Sequence, residues 1–126
     1  MKNKFKVLVC GGRDYNNSDK LFEVLDMIKE ICDTNFLEPS EMIIIHGGAR
    51  GADRLAGQWA KSRDIHSEVY LADWDRYKKS AGPIRNELML KSGNPNIVVA
   101  FPGGNGTNHM ISIAERENIE VYRIVE

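Results

Sequence analysis

Short apolar runs along the chain alternate with segments whose apolar residues recur at helical spacing. The runs are rich in β-branched and aromatic residues and predict strands over residues 5–10, 42–46, 67–72, 96–101 and 119–125. The runs at 5–10, 42–46 and 96–101 are mainly apolar, which is typical of strands buried on both faces of a parallel sheet. The run at 67–72 instead alternates polar and apolar residues, which favours a place at the edge of the sheet.

The segments between these runs predict four helices. Their apolar positions are Leu21, Leu25, Ile28 and Cys32 in the first, Ala52, Leu55, Ala56, Trp59 and Ala60 in the second, Ile84 and Leu88 in the third, and Met110, Ile113 and Ala114 in the fourth. The first helix is expected to have about four turns. Residues 93–95, Gly-Asn-Pro, end the third helix, because the first two tolerate the left-handed conformation and proline cannot continue a helix. Residues 73–82 have no clear period and predict a loop.

Strands that alternate with helices in this way predict an α/β fold. We expect residues 1–126 to form a single Rossmann-like domain of three layers, with about five parallel strands and helices on both faces. In such sheets a ligand binds beyond the carboxyl ends of the strands, where the strand order reverses. With the order 3-2-1-4-5 the reversal lies between the first and fourth strands, so the loops 11–15, 47–53 and 102–107 converge there.

Composition and charge argue against a nucleic-acid-binding or membrane protein. The formal net charge of −1 gives no general attraction to nucleic acid or to an anionic membrane, so a nucleic-acid partner is not expected. No apolar run approaches a membrane span or a signal peptide. Cys10 and Cys32 fall in a predicted strand and on an apolar helix face, which indicates buried thiols in a reducing compartment. A cytoplasmic protein is expected.

Several familiar sites are missing from the sequence. His46, His66 and His109 match no metal-ligand spacing, and the two cysteines do not complete a zinc set, so we expect no metal. No glycine loop is followed by Lys and Ser or Thr as in a Walker A motif, and the first strand has no GxGxxG after it. These absences weaken an ATPase or dehydrogenase assignment, and no resident cofactor is expected.

The three converging loops are all rich in glycine, and this points to phosphate. Glycine lets backbone amides approach an anion closely, and the helix that follows each loop adds unpaired amide donors and a favourable dipole. A single Gly-Gly pair is also a common tight turn or helix cap. The occurrence of three such loops at one point favours a phosphate pocket.

Four motifs occur in a fixed order at the predicted strand ends: GGRDY, HGGARGAD, AGPIRN and FPGGNGT. In these motifs the chain resembles the SLOG superfamily, and most closely its YspA-like branch. That resemblance implies a Rossmann-like fold that binds a nucleotide or a nucleotide-derived ligand. It also implies that the ligand is contacted by Gly11, Gly12, Arg13, Gly47, Gly48, Gly51, Gly103, Gly104, Gly106 and Thr107, the last four holding a phosphate.

Further side chains complete the expected site. Arg85, next to Asn86 in the matched AGPIRN motif, has a planar guanidinium suited to phosphate, and its alternative is a surface ion pair with Glu87 or Asp53. Asp53 opens the second helix, where capping is its first expected role and ribose binding its second. Trp74 either stacks on a base or anchors its loop.

Two functions from different classes remain open. The first is a domain that binds a nucleotide-derived ligand as a sensor, carrier or sequestering protein. The second is a phosphoribohydrolase similar to the LOG enzymes of the superfamily, with Arg85 and Glu87 as candidate catalytic residues. Those enzymes have a glutamate three residues after PGGxGT, where this chain has Met110, and a thioether cannot replace a carboxylate in that chemistry. Single-stranded DNA binding, as in the DprA relatives, is a distant third. The family's habit of pairing implies a homodimer or larger homo-oligomer.

Overall fold

The computed structural model describes residues 3–34 and 40–126. Its strands are β1 (Asn3–Cys10), β2 (Ser40–His46), β3 (His66–Val69), β4 (Ile97–Ala100) and β5 (Glu120–Arg123). Its helices are α1 (Ser18–Asp33), α2 (Ala52–Ser62), α3 (Trp74–Tyr77), α4 (Ala81–Gly93) and α5 (Asn105–Arg116), with a short 3-10 helix at Lys78–Ser80. This order of elements gives the α/β fold that the sequence predicts.

The strands form one parallel sheet of order β3-β2-β1-β4-β5. The predicted order, with its reversal between β1 and β4, is therefore confirmed. At the reversal Cys10 pairs with Ala100, so the loops after these two strands leave the sheet side by side. They are joined directly, because the amide of Gly12 donates to the carbonyl oxygen of Pro102 at 2.9 Å.

The core lies on both faces of the sheet. Along β1, Val7 and Val9 pack with α1 and α2 on one face, while Leu8 and Cys10 pack with α4 and α5 on the other. Residues Val7–Cys10 of β1 are covered on both sides and have no solvated face, which explains why this half of the strand does not alternate between apolar and polar residues. Trp59 is fully buried in the first of these clusters, as the sequence predicts.

Several predicted boundaries are wrong by a few residues, and the pairing explains why. β3 begins one residue early, at His66, and ends at Val69 instead of residue 72, because its partner β2 ends at His46, opposite Val69. β5 stops at Arg123, since its neighbour β4 supplies only four paired residues. β1 and β2 each begin two residues before the predicted start, where Asn3 pairs with Ser40.

The segment 73–82, predicted as a loop, contains helix α3 and the 3-10 helix. Asp73 caps α3, and its side chain accepts a hydrogen bond from the amide of Arg76 at 3.1 Å. Lys78, with a positive φ of 55°, ends α3 and is the first residue of the 3-10 helix. Neither helix buries a residue, so no apolar period marks them in the sequence. The third predicted helix is α4, and Asn94 ends it in the left-handed conformation, as expected.

In the described ranges, no helix combines the length and the hydropathy needed to cross a bilayer. Cys10 and Cys32 are both buried and free. Within the same ranges no group of three or more His, Cys, Asp or Glu side chains is arranged to hold a metal ion.

Candidate functional site

A cavity of about 490 Å³ lies beyond the carboxyl ends of β1 and β4. We call it the main cavity. Its walls come from the loops after these strands, the start of α2, the 73–82 segment, α4 and the first turn of α5. Ten of the residues expected from the sequence line it: Gly11, Gly12, Arg13, Asp53, Trp74, Arg85, Asn86, Gly104, Gly106 and Thr107. The topological switch point therefore coincides with a concave site.

The first turn of α5 presents unpaired amides at this cavity. Gly104 is the N-cap, and no described side chain caps the helix or places an acid in its first turn. The first intrahelical bond runs from the amide of Asn108 to the carbonyl oxygen of Gly104, at 3.0 Å. The amides of 105–107 precede that bond, so they carry the partial positive charge of the helix end. This end of α5 is suited to an anion.

Gly104 and Gly106 border open space. A Cβ atom added to either glycine would meet no heavy atom within 4 Å. Gly103 differs, because a Cβ there would collide with Thr107 and lie 2.6 Å from the amide nitrogen of Gly12. Gly103 thus permits close packing of two loops and does not line the main cavity, whereas Gly104 and Gly106 leave room in front of the α5 amides.

The loop after β2 uses its amides internally. The amides of Gly47 and Ala49 donate to Oδ2 of Asp53, at 3.1 and 3.2 Å. The amide of Gly48 donates to Nδ1 of His46 at 3.0 Å, and that of Ala52 donates to the carbonyl oxygen of Gly12 at 3.2 Å. The loop after β2 therefore stabilises the structure around the site and offers a ligand few free backbone amides.

This geometry corrects the expectation that Gly47, Gly48 and Gly51 line the same cavity as the α5 loop. Gly47 and Gly48 border a second cavity of about 430 Å³, which we call the side cavity. Gly51 packs against the backbone of Gly12 and Arg13 at a positive φ of 79°, so it serves a close approach of two loops. The side cavity adjoins the main one, and both are lined by Arg13, Ala49, Trp74 and Arg85.

Arg85 is held by two hydrogen bonds. Its Nη1 donates to the carbonyl oxygen of Gly47 at 2.7 Å, and its Nε donates to Oδ1 of Asn86 at 3.1 Å. Nη2 makes no hydrogen bond with the described residues, which leaves it free for a ligand. Burial lowers the pKa of Arg85. The expected alternative, a surface ion pair with Glu87, is absent, because Glu87 pairs with Arg116 at 3.0 Å.

Asp53 is buried, with 7% of its surface exposed. Burial raises the pKa of its carboxyl group, against the opposing effect of the Ala49 amide, the Arg85 charge and the Gly47 amide. Asp53 has the expected capping role, but its Oδ2 accepts hydrogen bonds from amides of the loop that precedes α2. Oδ1 accepts no hydrogen bond from the described residues, and Asp53 is the one acidic residue among those that line the main cavity.

Asn86 connects α4 to the start of α5. Its Nδ2 donates to the carbonyl oxygen of Gly106 at 3.2 Å and lies 3.1 Å from Nδ1 of His109. An amide nitrogen only donates, so Nδ1 accepts and His109 carries a ring proton on Nε2. Asn86 is buried, and its three contacts fix the Arg85 guanidinium and the α5 turn relative to each other.

Arg13 and Trp74 lie at the boundary of the two cavities. The guanidinium carbon of Arg13 lies 5.3 Å from the centre of the Trp74 ring, within range of a cation–π contact. Trp74 is half-exposed. Lys79 also lines the main cavity, and sequence reasoning missed it because it falls in the segment without a period. The described lining therefore carries Arg13, Lys79 and Arg85 against a single carboxylate, which favours an anionic ligand.

The remaining candidates lie outside the main cavity. The Glu87 side chain is about half-exposed and paired with Arg116, and it borders a different groove. Tyr15, the last residue of the GGRDY motif, donates to Oε1 of Glu126 at 2.6 Å and does not line the main cavity. Met110, at the position where LOG enzymes have a glutamate, is fully buried in the core. It packs in the cluster on the α4 and α5 face of the sheet, so this position contributes no group to the cavity.

Comparison with known proteins agrees with the motifs. Residues 5–77 match the family described as YAcAr, the YspA, cpYpsA-related SLOG family. The chain belongs to this family. The expected membership in the YspA-like branch is thus confirmed, and the matched region contains the GGRDY and HGGARGAD motifs.

Two individual proteins are similar over most of the chain. Gene 61 protein of Mycobacterium phage D29 is 32% identical over 123 residues, which span 92% of this chain and 93% of that protein. The X-ray structure of TM1055, a Northeast Structural Genomics Consortium target, has a TM-score of 0.66 at 19% identity. The match covers 96% of this chain and 72% of that one. The second similarity shows a shared Rossmann-like fold.

Proposed function

We propose that the main cavity binds a nucleotide or a nucleotide-derived phosphate ligand, and that the protein acts as a sensor, carrier or sequestering domain. The observation that carries this proposal is the first turn of α5. Its unpaired amides face open space at Gly104 and Gly106, in a cavity with an excess of cationic side chains. A phosphate group satisfies both the amides and the charge.

The other walls of the cavity suit the rest of a nucleotide. Trp74 offers an aromatic face for a base, and the free Oδ1 of Asp53 is an acceptor for a ribose hydroxyl. The fixed guanidinium of Arg85 and the Nε2 proton of His109 supply donors toward the phosphate. Since Asn86 holds both of these side chains, little ordering is needed on binding, and this favours affinity.

The test is thermal stabilisation by AMP, ADP, ADP-ribose, NAD, cyclic nucleotides and other nucleoside monophosphates. A ligand that prefers the native state raises the midpoint of unfolding. For a nucleotide that stabilises the wild type, Trp74→Ala should lower the affinity by roughly tenfold, because the stacking contact is lost. Trp74→Phe should retain most of the affinity. Ribose 5-phosphate has no base and serves as the control that should not distinguish the two variants. No stabilisation by any compound would refute the proposal.

A second candidate, an N-glycosidic hydrolase, is favoured by one observation. Asp53 places a carboxylate with a raised pKa in the main cavity, near the guanidinium of Arg85. In this alternative Asp53 replaces Glu87, which is paired elsewhere, as the acidic group near the sugar. Mass spectrometry of each stabilising nucleotide after incubation separates the two: intact nucleotide supports binding alone, and free base with sugar phosphate supports hydrolysis.

We also propose that the protein forms a homodimer or larger homo-oligomer in a reducing compartment such as the cytoplasm. The helix α4 exposes Ile84 by 40% and Leu88 by 50%, and Leu71 beside them is exposed by 74%. An apolar surface of this kind favours contact with a partner. The two free cysteines fit the reducing compartment.

A further inference from the structure

The side cavity continues from the main cavity past two arginines. Arg13 and Arg85 line both cavities, as do Ala49 and Trp74. A ligand that extends from the main cavity into the side cavity therefore contacts the same two arginines in both. The two volumes, about 490 and 430 Å³, are similar, so the second space is large enough for more than a single small group.

The side cavity is the more cationic of the two. Arg13, Arg50 and Arg85 line it, and none of the described lining residues is acidic. Arg50 pairs with Asp14 at 3.2 Å, but the Asp14 side chain is 94% exposed, and a pair so accessible to water holds Arg50 only weakly. All three arginines are therefore available to an anion.

Two of these arginines repel each other in the absence of an anion. Burial is the largest cause that lowers the pKa of Arg85, and the charge of Arg13 adds to it against the opposing charge of Asp53. The single carboxylate of Asp53 already accepts two amide hydrogen bonds. A phosphate between Arg13 and Arg85 would replace this repulsion with two attractions.

Part of the lining of the side cavity is apolar. Leu71, Ala72 and Trp74 form it, and Leu71 is exposed by 74% although it borders a concave space. A phosphate chain alone makes no use of such a wall. A sugar or ring attached to the phosphate would cover it and remove apolar surface from water.

We propose that the side cavity is a second ligand subsite, so that the ligand is a nucleoside diphosphate that carries a second sugar or ring on its terminal phosphate. The first phosphate lies at α5, the second lies among Arg13, Arg50 and Arg85, and the attached group lies against Leu71 and Ala72. This inference rests on the proposed function of the main cavity. It further specifies that the ligand extends beyond one phosphate and that its far end binds in the side cavity.

Isothermal titration of the full chain with AMP, ADP and ADP-ribose tests the subsite. ADP-ribose is expected to bind roughly tenfold or more tightly than AMP, with ADP between them, because each addition gains contacts in the side cavity. Arg50→Ala should reduce the ratio of the ADP-ribose and AMP affinities toward one. Arg54→Ala is the matched control, since Arg54 is an exposed arginine on α2 that lines neither cavity, and it should keep the ratio.

The outcomes are distinguishable. Equal affinity for AMP and ADP-ribose, or a gain that survives Arg50→Ala unchanged, would overturn the subsite and leave the nucleotide function intact. ADP bound as tightly as ADP-ribose would also overturn it, because the attached group would then make no contact. Failure of all three compounds to bind would overturn the inference together with the proposed function for adenine nucleotides.

Discussion

Asp53 combines a structural and a chemical role in one carboxyl group. Its Oδ2 holds the loop after β2 through the amides of Gly47 and Ala49, while Oδ1 remains available in the main cavity. The sequence indicated a cap at the start of α2, but it did not show which amides are capped. Those amides precede the helix by several residues, and only the turn at Gly48, with φ of 71°, brings them to the carboxylate.

The raised pKa of Asp53 gives a pH-dependent prediction. Burial is its main cause, so the stability contributed by the protonated group is fully present below the unfolded pKa and is lost as pH rises through the folded pKa. Asp53→Asn keeps an oxygen for both amides and removes the buried charge. We expect this variant to be more stable than the wild type near neutral pH, with the difference vanishing in acid. Urea unfolding between about pH 3 and pH 7 measures this difference.

Asp26→Asn is a control that should change the free energy of unfolding near neutral pH in the opposite direction. The hydrogen bond from Arg63 is the main cause that lowers the pKa of Asp26, so its stability is present above the unfolded pKa and lost as pH falls through the folded pKa. This variant should be less stable than the wild type near neutral pH and equal to it in acid. If both variants differed from the wild type in free energy of unfolding with the same sign near neutral pH, the raised pKa of Asp53 would be contradicted.

Side-chain contacts were the part of the site least accessible from the sequence. The motifs identified Arg85 and Asn86 as neighbours, and the structure adds that Asn86 orients Arg85 and reaches Gly106 on another helix. Such a contact joins residues 20 positions apart and has no local signal in the sequence. Lys79 was missed for the same reason, since its place depends on two short helices without buried faces.

At the scale of elements, the strands and long helices were predictable because their apolar period is set by burial. The second half of β1 and all of β4 are covered on both faces, and α2 and α5 each bury one stripe, so the pattern follows directly from packing. Strand ends were less accurate, since an end is fixed by the length of the partner strand. The glycine loops were recognised as a group, but which loop keeps free amides depends on Asp53 and His46.

The amide-bearing end of α5 gives a prediction at this scale. Gly104→Asp and Gly104→Asn add side chains of nearly the same size into open space. Any conformational cost of replacing the glycine is therefore the same in both variants. Only the aspartate adds a negative charge to the helix end, where it competes with a phosphate. We expect Gly104→Asp to lower the affinity for a bound nucleotide by at least roughly tenfold relative to Gly104→Asn.

Calorimetric titration of both Gly104 variants with the same nucleotide measures the difference, and their unliganded melting points verify that both fold. The difference should shrink as salt is added, because the aspartate acts through its charge. Equal affinities for the two variants would place the phosphate elsewhere than at α5. The prediction therefore tests the role of the helix end and not merely the presence of a cavity.

At the scale of the whole molecule, exposed apolar residues in the described part of the chain form two surfaces. One lies on α4 and the adjoining loop, with Ile84, Leu88 and Leu71, beside Arg85 and the side cavity. The other lies between α1 and the chain end, with Met27, Ile31 and Val125. A copy that docks on the first surface would stand next to the ligand site, because Arg85 and Leu71 border both the α4 groove and the side cavity.

The α4 surface is therefore our predicted interface between copies. Leu88→Glu places a charge on a half-exposed residue and should weaken self-association by roughly tenfold or more, while the fold is retained. Ile31→Glu makes the same change on the α1 surface, at a residue exposed by 71%, and should leave association unchanged. Sedimentation velocity over a range of protein concentrations measures both. A monomeric wild type would refute the interface, and dissociation by Ile31→Glu alone would move it to α1, whose residues line neither the main nor the side cavity.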